Sequence, residues 1–283
     1  SNPLFNNTES LDCAWLHPEH LVRVGRSHRG GPTIGYSTDM GKSWQPAGVP
    51  FEGAGRGFIS VSADGSTWIW APMGSSPYRS TDCGQTWAPC AGLNVPEIRV
   101  ESDKINPDYF YAFALEGKTA VLYTSSDAGN SFSREVIPVA VETPAFIANV
   151  GHCRGDGRGA QDQVYATPGI FNELWIPSYD GLYHKASGSK TFTRVSSISG
   201  IHAFGFGKAH PDADYQTLYI FGELEGKRGI YRSIDKGASW TLINDQAHQF
   251  ANVFYVIGDP KTYGRVYIGT HGRGTFYGDP KND

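Results

Sequence analysis

Carboxylates at a regular spacing are the groups of this sequence best suited to chemistry, since a pair of them can serve as general acid and general base. Asp39, Asp82, Asp127 and Asp235 each hold the third position of a recurring octapeptide. It reads Ser37-Thr38-Asp39-Met40-Gly41-Lys42-Ser43-Trp44, then Ser80-Thr81-Asp82-Cys83-Gly84-Gln85-Thr86-Trp87. It returns as Ser125-Ser126-Asp127-Ala128-Gly129-Asn130-Ser131-Phe132 and as Ser233-Ile234-Asp235-Lys236-Gly237-Ala238-Ser239-Trp240. The pattern argues for structure rather than catalysis. An Asp at the start of a turn accepts bonds from the turn's own amides, and a following Gly takes the positive φ that other residues avoid. One such Asp per repeat also leaves the four too far apart to act together.

Other reactive groups are sparse. Cys13, Cys83, Cys90 and Cys153 show no pair at zinc-finger spacing. Cys83 and Cys90 flank a tight hairpin, and a disulfide between them and two free thiols are equally open readings. No metal cluster and no nucleotide-binding loop is found, so no cofactor is expected. The net charge of −4 has no basic stripe to meet a nucleic acid, and no 20-residue apolar run spans a membrane.

The repeat sets the architecture that must hold these groups. The first three box aspartates step by 43 and 45 residues, the length of one four-stranded propeller blade. A worn copy survives at Ser187-Gly188-Ser189-Lys190-Thr191-Phe192. Short alternating runs such as Leu21–Gly25 and Phe58–Ser62, separated by Gly and Asp turns, read as strands. With 35 Gly and 17 Pro, frequent chain reversal suits strands better than helices. Residues 265–277 supply a sixth repeat without a box. The expectation is an all-β, seven-bladed β-propeller over 1–283, with about six blades visible and the seventh completed by upstream residues.

Such a blade carries its box hairpin on one face. The loop between its second and third strands, and the crossover to the next blade, emerge on the other. That filter selects Arg26 and His28 in blade one, Trp70 in blade two, and Trp175 and Tyr179 in blade four. It also selects His248 and Gln249 in a crossover, and His271 near the end. Aromatic planes suit the apolar faces of sugars. For Trp70 and Trp175 the core and ligand-facing readings stand equal, whereas Trp44, Trp87 and Trp240 inside boxes read as core. Trp68 is expected on the other side of its strand from Trp70, at a blade interface.

Beyond the boxes, longer segments resemble glycoside hydrolase family 74. Asn7-Thr8-Glu9-Ser10-Leu11-Asp12 leading to Val22-Arg23-Val24-Gly25 is similar to the start of that family's second propeller. Tyr263-Gly264-Arg265-Val266-Tyr267-Ile268-Gly269-Thr270 resembles its closing blade, with His271 where Asn is usual. The resemblance implies a secreted enzyme of two propellers gripping a cleft and hydrolysing xyloglucan, or a related β-1,4-glucan, with inversion. Inversion uses two carboxyls roughly 6.5–9.5 Å apart. It further implies that the catalytic pair lies outside this chain, because the family's Asp-Ile-Gly-Gly motif does not occur here. The chain would then wall one side of the cleft against an N-terminal propeller half. The alternative is a glucan-binding propeller without chemistry.

Overall fold

In a computed structural model the structure describes residues 8–26, 31–117, 119–139, 163–178, 181–250, 253–270 and 272–280. Among them there is no helix, and 23 strands form successive antiparallel meanders. The chain divides into two compact units, one holding Ser1–Glu116, Ala120–Ile137 and Val164–Asn172, the other the remaining residues.

In the first unit, blade one is β1 (Thr8–Cys13), β2 (Leu21–Gly25), β3 (Ile34–Ser37) and β4 (Gln45–Pro46). Blade two is β5 (Phe58–Val61), β6 (Trp68–Ala71), β7 (Tyr78–Ser80) and β8 (Ala88–Pro89). Blade three is β9 (Val100–Ser102), β10 (Phe110–Glu116), β11 (Thr119–Ser125) and β12 (Ser133–Val136). β13 (Tyr165–Ala166) follows.

The second unit holds β14 (Leu174–Ser178), β15 (Gly181–Lys185) and β16 (Thr193–Val195). Then come β17 (Ile198–Gly207), β18 (Thr217–Leu224), β19 (Lys227–Ser233) and β20 (Thr241–Leu242) as blade five. The last sheet has three strands, β21 (Val253–Gly258), β22 (Val266–Thr270) and β23 (Gly274–Gly278). Among the described residues the arrangement is thus six blades of the propeller type, as many as were expected within this chain, and the seventh blade of the expected ring is not among them.

Apolar residues of consecutive blades meet face to face, and that is where the core sits. Val22, Val24 and Ile34 of blade one join Ile59, Val61, Trp68 and Trp70 of blade two in one buried cluster. Ile69 points the other way, into a second cluster with Leu93, Phe110, Val121 and Phe132. Residues two apart on a strand share a face. Trp68 therefore lies on the same side as Trp70, which corrects the expectation that they oppose each other. In the second unit Tyr219, Phe221 and Ile230 pack on Val256 and Ile268.

Polar side chains stitch the inner strands where backbone ladders do not reach. The Val61 N–H donates to Asp12 Oδ2 at 2.8 Å, and Ile59 N–H to Ser10 Oγ at 3.3 Å. Two blades on, Ala166 N–H donates to Glu101 Oε1 at 3.3 Å, and Lys104 pairs with that carboxylate at 2.9 Å. Burial raises the Asp12 and Glu101 pKa values, with the Lys104 charge opposing, while the two carboxylates outweigh burial at Lys104 and raise its own.

Each box hairpin joins the third strand of its blade to the fourth. In the first, Ser37 Oγ donates to Asp39 Oδ1 at 2.8 Å, Ser43 N–H to Oδ1 at 2.8 Å, and Ser43 Oγ to Oδ2 at 2.6 Å. Asp82, Asp127 and Asp235 repeat this arrangement. Two consecutive residues enter the left-handed region in every copy, as at Cys83 (φ 58°) and Gly84 (φ 75°). Neither Cys83 nor Cys90 is bonded to another cysteine; Cys83 is exposed on its turn and Cys90 buried in the core.

Candidate functional site

Blade one and the entry to blade two bring three charged side chains together. Glu9 sits at the start of β1, Arg26 follows β2, and Arg56 lies just before β5. Arg56 Nε reaches Glu9 Oε1 and Oε2 at 2.8 and 2.9 Å, and Arg26 Nε reaches Oε1 at 3.0 Å. Burial raises the Glu9 pKa, but the hydrogen bonds and charges of Arg56 and Arg26 outweigh it and hold the carboxyl below its ordinary range. Glu9 is thereby kept ionised, while Arg26 leaves 54% of its side chain in solvent.

The backbone under this cluster is tightly determined. Arg56 has φ 58°, a costly conformation for a residue with a Cβ. Its N–H donates to Gly25 O at 2.8 Å, and its carbonyl accepts the Trp70 indole N–H at 2.8 Å. A Cβ on the next residue, Gly57, would lie 1.9 Å from Ala71 O, so only glycine lets the loop approach β6. Glu9 and Arg56 escape the face-selection argument because they are far apart in sequence. The one local signal is the Gly55-Arg56-Gly57 triplet, an arginine between two flexible residues.

Trp70 is itself fully buried, with Trp87 edge-on at 5.8 Å between ring centroids. Trp175 is also fully buried, stacked on His184 at 4.0 Å and donating its N–H to Tyr215 Oη at 3.0 Å. Tyr215 and His184 both meet Glu173, at 2.8 and 3.0 Å. Neither indole has a ring face open to a sugar, so the ligand-facing reading of both is corrected to core. Both rings are enclosed by residues distant in sequence, which strand periodicity does not reveal.

In the second unit His248 and Gln249 are exposed on the crossover from β20 to β21, and both fold back on Asp245. His248 Nδ1 lies 2.7 Å from Asp245 Oδ1, and Gln249 Nε2 donates to Asp245 O at 2.8 Å. Hydrogen bonding from His248 holds the Asp245 carboxyl below its usual range. His28, Tyr179 and His271 lie outside the described residues. Among the described residues no group of three or more His, Cys, Asp and Glu is placed to hold a metal ion.

Six propeller blades, four of them with a turn-bound aspartate, and a charged, partly exposed cluster define a β-propeller protein. No family model matches the chain. Its homologues are xyloglucanases of glycoside hydrolase family 74. A xyloglucanase of a Paenibacillus species is 38% identical over 291 residues, covering 99% of this chain and 26% of the relative. The oligoxyloglucan-reducing end-specific xyloglucanase of Emericella nidulans is 30% identical over 312 residues, covering 99% of this chain and 36% of its own length. The crystal structure of the family 74 xyloglucanase from Xanthomonas campestris superposes with a TM-score of 0.80 at 32% identity, covering 98% of this chain and 38% of that one. The chain thus spans between a quarter and two fifths of these relatives.

Proposed function

We propose that this chain is the C-terminal propeller of a secreted, inverting xyloglucan hydrolase, forming one wall of its substrate cleft. The observation that carries this reading is the alignment of 99% of the chain with xyloglucanases at up to 38% identity. In this reading the chain supplies no catalytic carboxylate. The box aspartates are spent on their own turns, and Glu9 is neutralised by two arginines. Its contribution is recognition: Arg26 and Arg56 offer guanidinium donors, and His248 and Gln249 polar edges, to the hydroxyls of the glucan. The seventh blade and the opposing propeller half come from the remainder of a longer polypeptide.

The test is reducing-end release from xyloglucan. The purified 283-residue chain should release none, while the longer polypeptide should be active. Arg56→Ala in that polypeptide should raise KM with folding retained. Turnover by the chain alone would overturn the absence of catalytic groups. Binding of xyloglucan by the chain, with an inactive longer product, would favour a glucan-binding propeller without chemistry.

A further inference from the structure

The cluster of Glu9, Arg26 and Arg56 has an unbalanced outer edge. Both arginines bind the carboxylate through Nε, and neither forms another ion pair among the described residues. No hydrogen bond to an Nη group of either is found there, so both guanidinium forks keep their outer N–H donors. Two guanidiniums on one ionised carboxylate leave a single positive charge uncompensated. Arg26 and Arg56 expose 54% and 32% of their side chains, against 13% for Glu9, so solvent meets the cations rather than the carboxylate.

The acceptors around this edge are already engaged. Glu9 Oε1 receives Nε of both arginines, and Oε2 receives Arg56. Ala54 O accepts the Thr33 hydroxyl at 2.9 Å, and Gly55 O the Met73 N–H at 3.1 Å. Gly25 O and Arg56 O are bonded to the Arg56 N–H and the Trp70 indole. A hydroxyl both donates and accepts, so a site built for hydroxyls alone offers both kinds of partner. An edge of donors with a net positive charge instead matches a group that only accepts and is negative. A carboxylate is such a group, and its planar pair of oxygens takes two parallel N–H bonds from one guanidinium fork.

We propose that Arg26 and Arg56 form a binding site for the carboxylate of an acidic sugar, a uronic acid residue carried by the polysaccharide. The inference rests on the reading of this chain as one wall of a glucan cleft, and it names the substituent that the two arginines select. Glu9 is the positioning residue, holding each guanidinium by Nε and leaving the Nη edges to the ligand. The left-handed Arg56 and the glycine that must follow it fix one fork in advance, which lowers the ordering cost of binding.

The experiment is calorimetric titration of the 283-residue chain and of the full-length gene product, with xyloglucan hydrolysis measured on the latter. The probes are a cello-oligosaccharide oxidised at its primary alcohols to carboxylates, its neutral parent, and sodium acetate. The oxidised sugar should bind about tenfold more tightly than the parent, as for a hydrogen bond to a charged group, and the advantage should shrink as salt is raised. Arg26→Gln should abolish that advantage with the melting temperature kept, and Arg26→Lys should restore only part of it, because an ammonium lacks the fork. Equal affinity for the two sugars, or an advantage unchanged by Arg26→Gln, would overturn the site. Acetate binding as tightly as the oxidised sugar would overturn the saccharide as occupant. A preference shown by the chain and lost in the full-length product would overturn it in favour of an acidic side chain from elsewhere in the polypeptide. Hydrolysis of xyloglucan without the preference would remove the carboxylate site and leave the enzymatic reading standing. The preference without hydrolysis would support the site and count against that reading.

Discussion

The indole N–H of Trp70 donates to the carbonyl oxygen of Arg56 at 2.8 Å, binding the core of blade two to the one left-handed arginine of the charged rim. An aromatic side chain in a strand thereby acts on the surface through the backbone rather than through its ring. Trp70→Phe keeps the apolar volume and removes the donor. Losing a buried hydrogen-bond partner costs about 1–3 kcal/mol. The variant should unfold at lower denaturant concentration by that amount, measured by urea titration of the chain. If Trp70 instead stacked on sugar, the substitution would weaken xyloglucan binding with stability unchanged.

The box aspartates predict a window of acid sensitivity. Hydrogen bonds from Ser43 and Ser37 lower Asp39 to about 2 from an ordinary 3.8, and Thr86 chiefly does the same for Asp82. A carboxyl whose folded pKa is depressed stabilises the fold fully above its unfolded value, and that contribution is lost as pH falls through the folded one. The melting temperature should therefore fall between about pH 4 and pH 2. An Asp82→Asn variant should melt below wild type at pH 5 and approach it near pH 2. A constant gap across that range would show that the carboxylate charge is not what the turn uses.

His202 on β17 predicts a second, higher window. Burial, aided by repulsion from Arg228, lowers its pKa to about 4 from 6.5. The unfolded chain gains this proton first as pH falls, so stability declines from about 6.5 downward and levels off near 4. The His202 imidazole should stay neutral at pH 5 by NMR titration. His202→Phe should flatten the stability profile between those limits; an imidazole titrating near 6.5 in the folded chain would rule this out.

The two cysteines near the second box should differ sharply toward alkylating agents, because the thiolate is the nucleophile. Burial pushes Cys90 up to about 12, whereas Cys83 is exposed on its turn. Iodoacetamide with mass-spectrometric mapping should label Cys83 in the folded chain and Cys90 only after denaturation. A Cys83–Cys90 disulfide would instead protect both until reduction.

What the sequence by itself determined is what closes within a few residues. The Asp127 carboxylate binds Ser125 and Ser131, two residues before and four after, so the octapeptide contains every partner its turn requires. The blade repeat follows, because each box marks a hairpin between the third and fourth strands. Which side chains reach a ligand is settled otherwise. Glu9 meets Arg56 across 47 residues, and Trp175 meets Tyr215 across 40. In a sheet packed on both faces, a strand's period says which residues share a side but not what covers that side. Only blade-on-blade packing buries Trp70 and Trp175 and lifts Arg56 beside Glu9.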